Sequence, residues 1–337
     1  MTHLTPEANQ ALYADQSGLS LDDQLQTAFE RNLESGTATL NALPDSLSLL
    51  AATAVAEAQA QLPETSALAN LEPAFADTVR QSHDQINDLL RMTKTGLTVP
   101  ELASPELYQV DWVRLQTGYD VMAAAGLTPR LIIAPVGRSV DFWKELYNNL
   151  CDWQNEHHPA TDNYLDKSPF GRLPNDCLII DPELKQNWAK LIPTTAGWTA
   201  SVIPATAVVP FENLDHSGHS DNSSAVDTLQ HFLERLPTAR TTEATPPNPS
   251  VERYLTMQAL HLLNNEPVLD SDDVFNRHIQ PRSRTWLSGI SITISSADQP
   301  PYNISPAAKW IRGQVVLAST FSDHHQAGIG IRPEIVG

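Results

Sequence analysis

From Thr285 to Ile294 the chain reads Thr-Trp-Leu-Ser-Gly-Ile-Ser-Ile-Thr-Ile, placing Ile290, Ile292 and Ile294 on alternate positions with Ser291 and Thr293 between them. A period of two over that length is met by a half-buried strand and not by a helix. Two further stretches, Lys309 to Ser319 and Gly328 to Val336, read as strands in the same way. Residues 250–337 are therefore expected to form a strand-rich module, entered by a helix from Ser250 to about Leu263 with Tyr254, Leu255, Ala259 and Leu262 on one side.

The first hundred residues have the other period. Leu21, Leu25, Phe29 and Leu33 make one helical stripe, and Leu47, Leu50, Ala54, Ala58 and Leu62 a second. A third runs from about Ser66 to Lys94 through Leu68, Leu71, Phe75, Val79, Ile86 and Leu90. Three amphipathic stripes predict a helical bundle over residues 1–105. Thirteen Asp or Glu against four Lys or Arg give the first hundred residues a formal −9, which suits a solvated polar face.

Between these ends, residues 106–210 alternate. A helix near Trp112 to Ala125 is followed by an apolar strand at Leu131–Ala134 and a helix from Ser139 to about His157. A second strand at Cys177–Ile180, a helix over 182–191 and a strand at Trp198–Ala207 complete a pattern expected of a small α/β sheet. Residues 211–249 are rich in Asp, His, Ser, Thr and Pro and read as an exposed connection. The fold class expected is thus α+β: a helical bundle, a small α/β region and a strand-rich module. A chain of 337 residues is long enough for such a composite.

The formal net charge is −19, from 21 Lys+Arg against 40 Asp+Glu. Such a surface repels a phosphate backbone, so no nucleic-acid partner is expected. The N-terminus lacks a basic and apolar leader, and no run approaches the ~18 apolar residues that span a bilayer, so no membrane insertion is expected. A cytoplasmic location is the default and non-classical export the alternative. The two cysteines, Cys151 and Cys177, lack zinc-site spacing; two buried free thiols are expected, with one disulfide between them the alternative.

Candidate chemistry is sparse. Pro135-Val136-Gly137-Arg138-Ser139 turns from strand to helix, where free amides hold anions, so Arg138 and Ser139 form a candidate anion site. It has one glycine where nucleotide loops have several, and no cofactor is expected. Asp215, His216, His219 and Asp221 are the densest set of potential metal ligands, and Asp323, His324 and His325 could join them in a metal-dependent hydrolase. Glu156-His157-His158 ends a predicted helix, where imidazoles favour the dipole. No G-x-S-x-G elbow is present, and both cysteines sit in apolar positions where thiols are inert.

In the tail, Trp286-Leu287-Ser288-Gly289, Trp310 with Arg312-Gly313, and the closing Gly328-Ile329-Gly330-Ile331-Arg332-Pro333 resemble the C-type-lectin-like fold of formylglycine-generating enzymes and retroelement variable proteins. No cysteine follows Cys177, so the thiol chemistry of the first branch is absent. The resemblance implies a binding module for a protein or a glycan, with Tyr302, Asn303, Asp323, His324 and His325 as loop-tip ligand residues. Trp286, Trp310 and Arg332 are expected to hold its core. Non-catalytic recognition is the function expected; a metal-dependent hydrolase, and an assembly component that forms homo-oligomers through the bundle, are the alternatives.

Overall fold

The structure is a computed structural model and describes residues 68–158, 173–236, 248–270, 283–288, 292–296, 299–311, 313–322 and 328–337. The first two expected bundle helices, and Asp323, His324 and His325, lie outside the described residues. All described residues belong to one compact unit, Leu62–Gly337. It is mixed α and β.

Helix α1 spans Pro73–Met92, with proline in its first turn, where no amide partner is lost, and it buries Phe75, Val79, Ile86, Leu89 and Leu90. A short α2, Pro105–Tyr108, leads to α3, Trp112–Ala124, whose Asp111 cap accepts from the Arg114 amide. Strand β1, Pro129–Val136, and helix α4, Val140–His157, follow; Ser139 caps α4 through the Phe142 amide. Then come β2, Leu178–Ile180, the short helices α5, Pro182–Gln186, and α6, Trp188–Leu191, and β3, Gly197–Pro204. The segment read as a connection supplies β4, Phe211–Glu212, and α7, Ser223–Leu233, which buries Leu229 and Phe232.

Helix α8, Val251–Leu263, is capped by Ser250, whose hydroxyl accepts from the Arg253 amide. The one-sided stripe expected here is exceeded: every residue of α8 except Arg253 is buried. The physical reason is position, for α8 packs against β1, α4 and α1 together. The remaining strands are β5, Arg284–Trp286, β6, Ile292–Ser296, β7, Gln299–Ile311, β8, Gln314–Phe321, β9, Ile329–Ile331, and β10, Ile335–Val336.

Two sheets result. One has the order β1-β3-β10 and is antiparallel; the other has the order β2-β8-β7-β5-β9-β4, with β6 on β7. The small α/β sheet expected within 106–210 is therefore not formed. β1 pairs with β3, whereas β2 leaves for the tail and lies parallel to β8, Leu178 opposite Val315. Both sheets thus draw strands from either side of residues 211–249. The single strand read over Lys309–Ser319 is a hairpin, β7 turning into β8, with Gly313 at φ 81°, a left-handed conformation that costs glycine little.

A buried charge cluster ties these parts together. The Asp270 carboxylate accepts from Tyr254 Oη at 2.9 Å, Ser283 Oγ at 2.7 Å, Thr285 Oγ1 at 2.6 Å and Arg332 Nη2 at 3.0 Å. Neither Asp270 nor Arg332 is exposed to solvent. Arg332 also donates through Nη1 to the Pro204 and Thr206 carbonyls, at 2.6 and 2.9 Å. Burial, then the Asp270 charge, pushes the Tyr254 hydroxyl well above its usual range and keeps it a donor. Trp286 and Trp310 are both in the core, Trp286 donating Nε1 to the Leu214 carbonyl. Cys151 on α4 and Cys177 before β2 form a disulfide, in place of the two free thiols expected. Among the described residues no helix is long and apolar enough to cross a membrane.

Removing one member of a buried, bonded ion pair strands the other, at a cost of about 3–5 kcal/mol. Asp270→Ala and Arg332→Ala are each expected to lower unfolding free energy by that amount in urea titration. The double variant should fall well short of the sum, since no charge is left uncompensated. Opening the disulfide should cost about 2–4 kcal/mol, read as the loss of stability in the Cys151→Ala/Cys177→Ala double variant.

Candidate functional site

Strand alternation decides what the tail residues can do. Tyr302 and Asn303 were expected at a loop tip, but both lie within β7, where neighbouring side chains point to opposite faces. Pro300-Pro301 suggested the loop; they are accommodated where the pairing shifts, Ile294 facing Tyr302 and Ser296 facing Gln299. Such a bulge spares the ladder the amides that proline lacks.

On one face, Tyr302 meets Phe321 of β8, ring centroids 5.3 Å apart and tilted by 57°. Beside them Ile304, opposite Phe321, and Ile292, opposite Ile304, are buried. Phe321 is 51% exposed, one of few large apolar side chains so placed among the described residues. On the other face Asn303 Oδ1 accepts from Thr293 Oγ1 at 2.8 Å, and both residues are exposed. One flat ligand surface therefore cannot engage Tyr302 and Asn303 together.

The loop after β4 reaches the same end of the sheet. His216 N donates to the Ser322 carbonyl at 3.2 Å, and Ser322 N to the Asn303 carbonyl at 3.1 Å. Within the loop, Asp215 Oδ1 accepts from Ser217 N, Ser217 Oγ and His219 N, all within 2.9 Å. His216 donates Nε2–H to the Leu287 carbonyl at 3.1 Å and lies edge-on to Trp286; burial holds its imidazole below the usual value. His219 Nδ1 lies 2.7 Å from Ser217 Oγ. Asp215 and His216 thus serve the fold of the loop. Among the described residues no three His, Cys, Asp or Glu stand close enough to hold a metal ion.

The turn at Pro135–Ser139 is also filled from within. Gly137, at φ 71°, and Arg138 aim their amides at the Glu252 carboxylate, at 2.8 and 2.7 Å, and Trp143 Nε1 adds a longer donor at 3.4 Å. A side chain at Gly137 would also collide with the Thr195 and Ala196 backbone, at 2.6–2.7 Å. The amides at this turn that hold an anion are those of Gly137 and Arg138, and the anion is the protein's own carboxylate; Ser139 instead caps α4. Burial pushes Glu252 above the ordinary carboxylate value, while the Arg138 and Gly137 amides oppose the shift. At the end of α4 His157 stacks on Trp153 and His158 meets it edge-on, and both are solvent-facing or partly so.

Phe321 and Glu252 are the two site residues that the sequence did not single out. Phe321 carried a signal, an aromatic closing an alternating strand next to a polar loop. Glu252 carried none, because its partners lie 114 and 115 residues earlier. No family model, curated protein or solved structure matches the chain.

Glu252→Ala leaves the Gly137 and Arg138 amides without their acceptor and should cost roughly 1–3 kcal/mol. Since the folded carboxyl titrates above its ordinary 4.5, the folded state holds the proton more tightly than the unfolded chain. The stabilisation it gives is then full below pH 4.5 and declines as pH rises through the raised value. The stability gap between wild type and Glu252→Ala should narrow from pH 4 to pH 7 in urea titrations. A gap that widens reverses the assignment.

Proposed function

We propose that the chain is a non-catalytic binding protein that recognises a protein or a glycan at the β6–β7–β8 end of the seven-stranded sheet. The observation that carries this reading is the half-exposed Phe321 ring set against Tyr302. Paired aromatic faces offer a large apolar contact at low entropic cost, suited to the flat hydrocarbon face of a sugar ring or to a partner's side chains. Strand β8 ends at Phe321, and Asp323, His324 and His325, the other ligand residues of this proposal, follow it in the chain.

In the finer layout proposed here, the first residues of the chain form an acidic helical bundle, and the strands of residues 250–337, joined by β2 and β4, form a C-type-lectin-like sheet. The gathering of Trp286 on β5, Trp310 on β7 and the Ile329–Ile331 strand into one sheet supports the last of these. A metal-dependent hydrolase at the same end is the second reading. It is favoured by the His216–Ser322 backbone bond, which brings the Asp215–Asp221 loop to the strand leading into Asp323.

The test is binding to an immobilised glycan panel and to candidate protein ligands, with matched variants. Phe321→Ala and Tyr302→Ala should each weaken the captured ligand by about tenfold or more, in line with the loss of one central aromatic. Asn303→Ala, on the opposite face, should change it little. Equal losses in all three, or none, would overturn the assigned face, and stoichiometric zinc, manganese or iron in the purified protein would move the reading to the hydrolase.

A further inference from the structure

A cavity of about 320 Å³ opens at a place remote in sequence from the aromatic surface, lined by Thr128, Pro129, Arg130, Ala205, Ala207, His261, Glu266 and Pro267. It forms where the start of β1, the chain leaving β3 and the end of α8 meet. The chain around it is fixed by backbone bonds: Ala205 N donates to the Thr128 carbonyl at 2.7 Å, and Asp270 N to the Ala207 carbonyl at 2.8 Å. Next to Ala205 and Ala207 in the chain, the Pro204 and Thr206 carbonyls are held by Arg332. The cavity is therefore preformed, as ligand sites generally are.

Its charges are already paired. Arg130 Nη1 meets Glu266 Oε2 at 2.5 Å, and Arg130 Nη2 donates to Gln85 Oε1 at 3.2 Å. His261 gives its Nδ1 proton to the Pro267 carbonyl at 2.8 Å, and burial followed by the Arg130 charge pushes its pKa down to about 4, leaving the ring neutral at pH 7. Pro129, Ala205, Ala207 and Pro267 supply hydrocarbon walls. A charged guest must break the Arg130–Glu266 pair or enter without a counter-ion, and both are costly. An uncharged guest with an apolar body meets neither cost, and Glu266, 39% exposed, retains lone pairs for a hydroxyl.

We propose that this cavity binds a small, uncharged ligand with a ring-sized apolar body and a hydroxyl head that donates to Glu266. The probes are benzyl alcohol, benzylamine and benzoate, which share one ring and differ in the charge of the head. Ligand-observed NMR titration of the full chain at pH 7 should show saturable binding of benzyl alcohol at least tenfold tighter than of the other two. Ala207→Leu, which fills the cavity, should abolish it in protein whose melting temperature is unchanged. Glu266→Ala, at a partly exposed position, frees Arg130 and should reverse the order, benzoate binding best. Tighter binding of benzoate or benzylamine to the wild type overturns the proposal, as does benzyl alcohol binding that survives Ala207→Leu, the absence of any saturable binding, or an unchanged order in Glu266→Ala.

Discussion

The pairing of Asp270 with Arg332 is the interaction on which the remainder rests. Each is fully desolvated, so neither is tolerated in the interior without the other. Satisfying Asp270 requires Tyr254 from the central helix α8, Ser283 from just before β5 and Thr285 within it. Satisfying Arg332 requires the backbone at the end of β3. The central helix, the chain leaving the three-stranded sheet and the larger sheet therefore meet at one point with little freedom of angle. Hydrophobic burial alone would permit many packings of similar energy; a bonded charge pair admits far fewer.

Local pattern was legible in the sequence to the extent that the physics was local. The helix at Val140–His157 was readable because Ser139 caps it and its apolar stripe repeats at helical spacing, and the one at Trp112–Ala124 because Gly126 closes it. The strand at Leu131–Ala134 was readable from its unbroken apolar run, all four residues being buried. What could not be read was pairing. β2 finds its neighbour in β8, and β3 finds one in β10, more than a hundred residues away in each case. The α/β expectation failed there because it assigned neighbours by order along the chain. The same limit hid the environment of α8, whose polar residues Glu252, Gln258 and His261 are buried and are each satisfied, at least in part, by distant or following backbone.

The candidate sites divide along the same line. Tyr302 was singled out because aromatic residues in a polar stretch draw notice, yet the face it lies on depended on pairing with β6 and β8. Arg138 and Ser139 were singled out as an anion site, yet the amides there, of Gly137 and Arg138, are taken by Glu252. A motif in sequence marks a local conformation, and whether that conformation is vacant is settled by the rest of the chain. In this fold the turn after β1 anchors the start of the central helix, and the exposed apolar surface lies instead at the far end of a hairpin.

The separation of Arg332 from its partners has a consequence for how the molecule is made. It follows Asp270 by 62 residues and Pro204 by 128. A chain emerging from the ribosome presents the carboxylate and the β3 carbonyls long before the guanidinium that neutralises them. Until then water is the better partner for Asp270, so this pair can close only after the segment carrying Arg332 has been made and has left the ribosome.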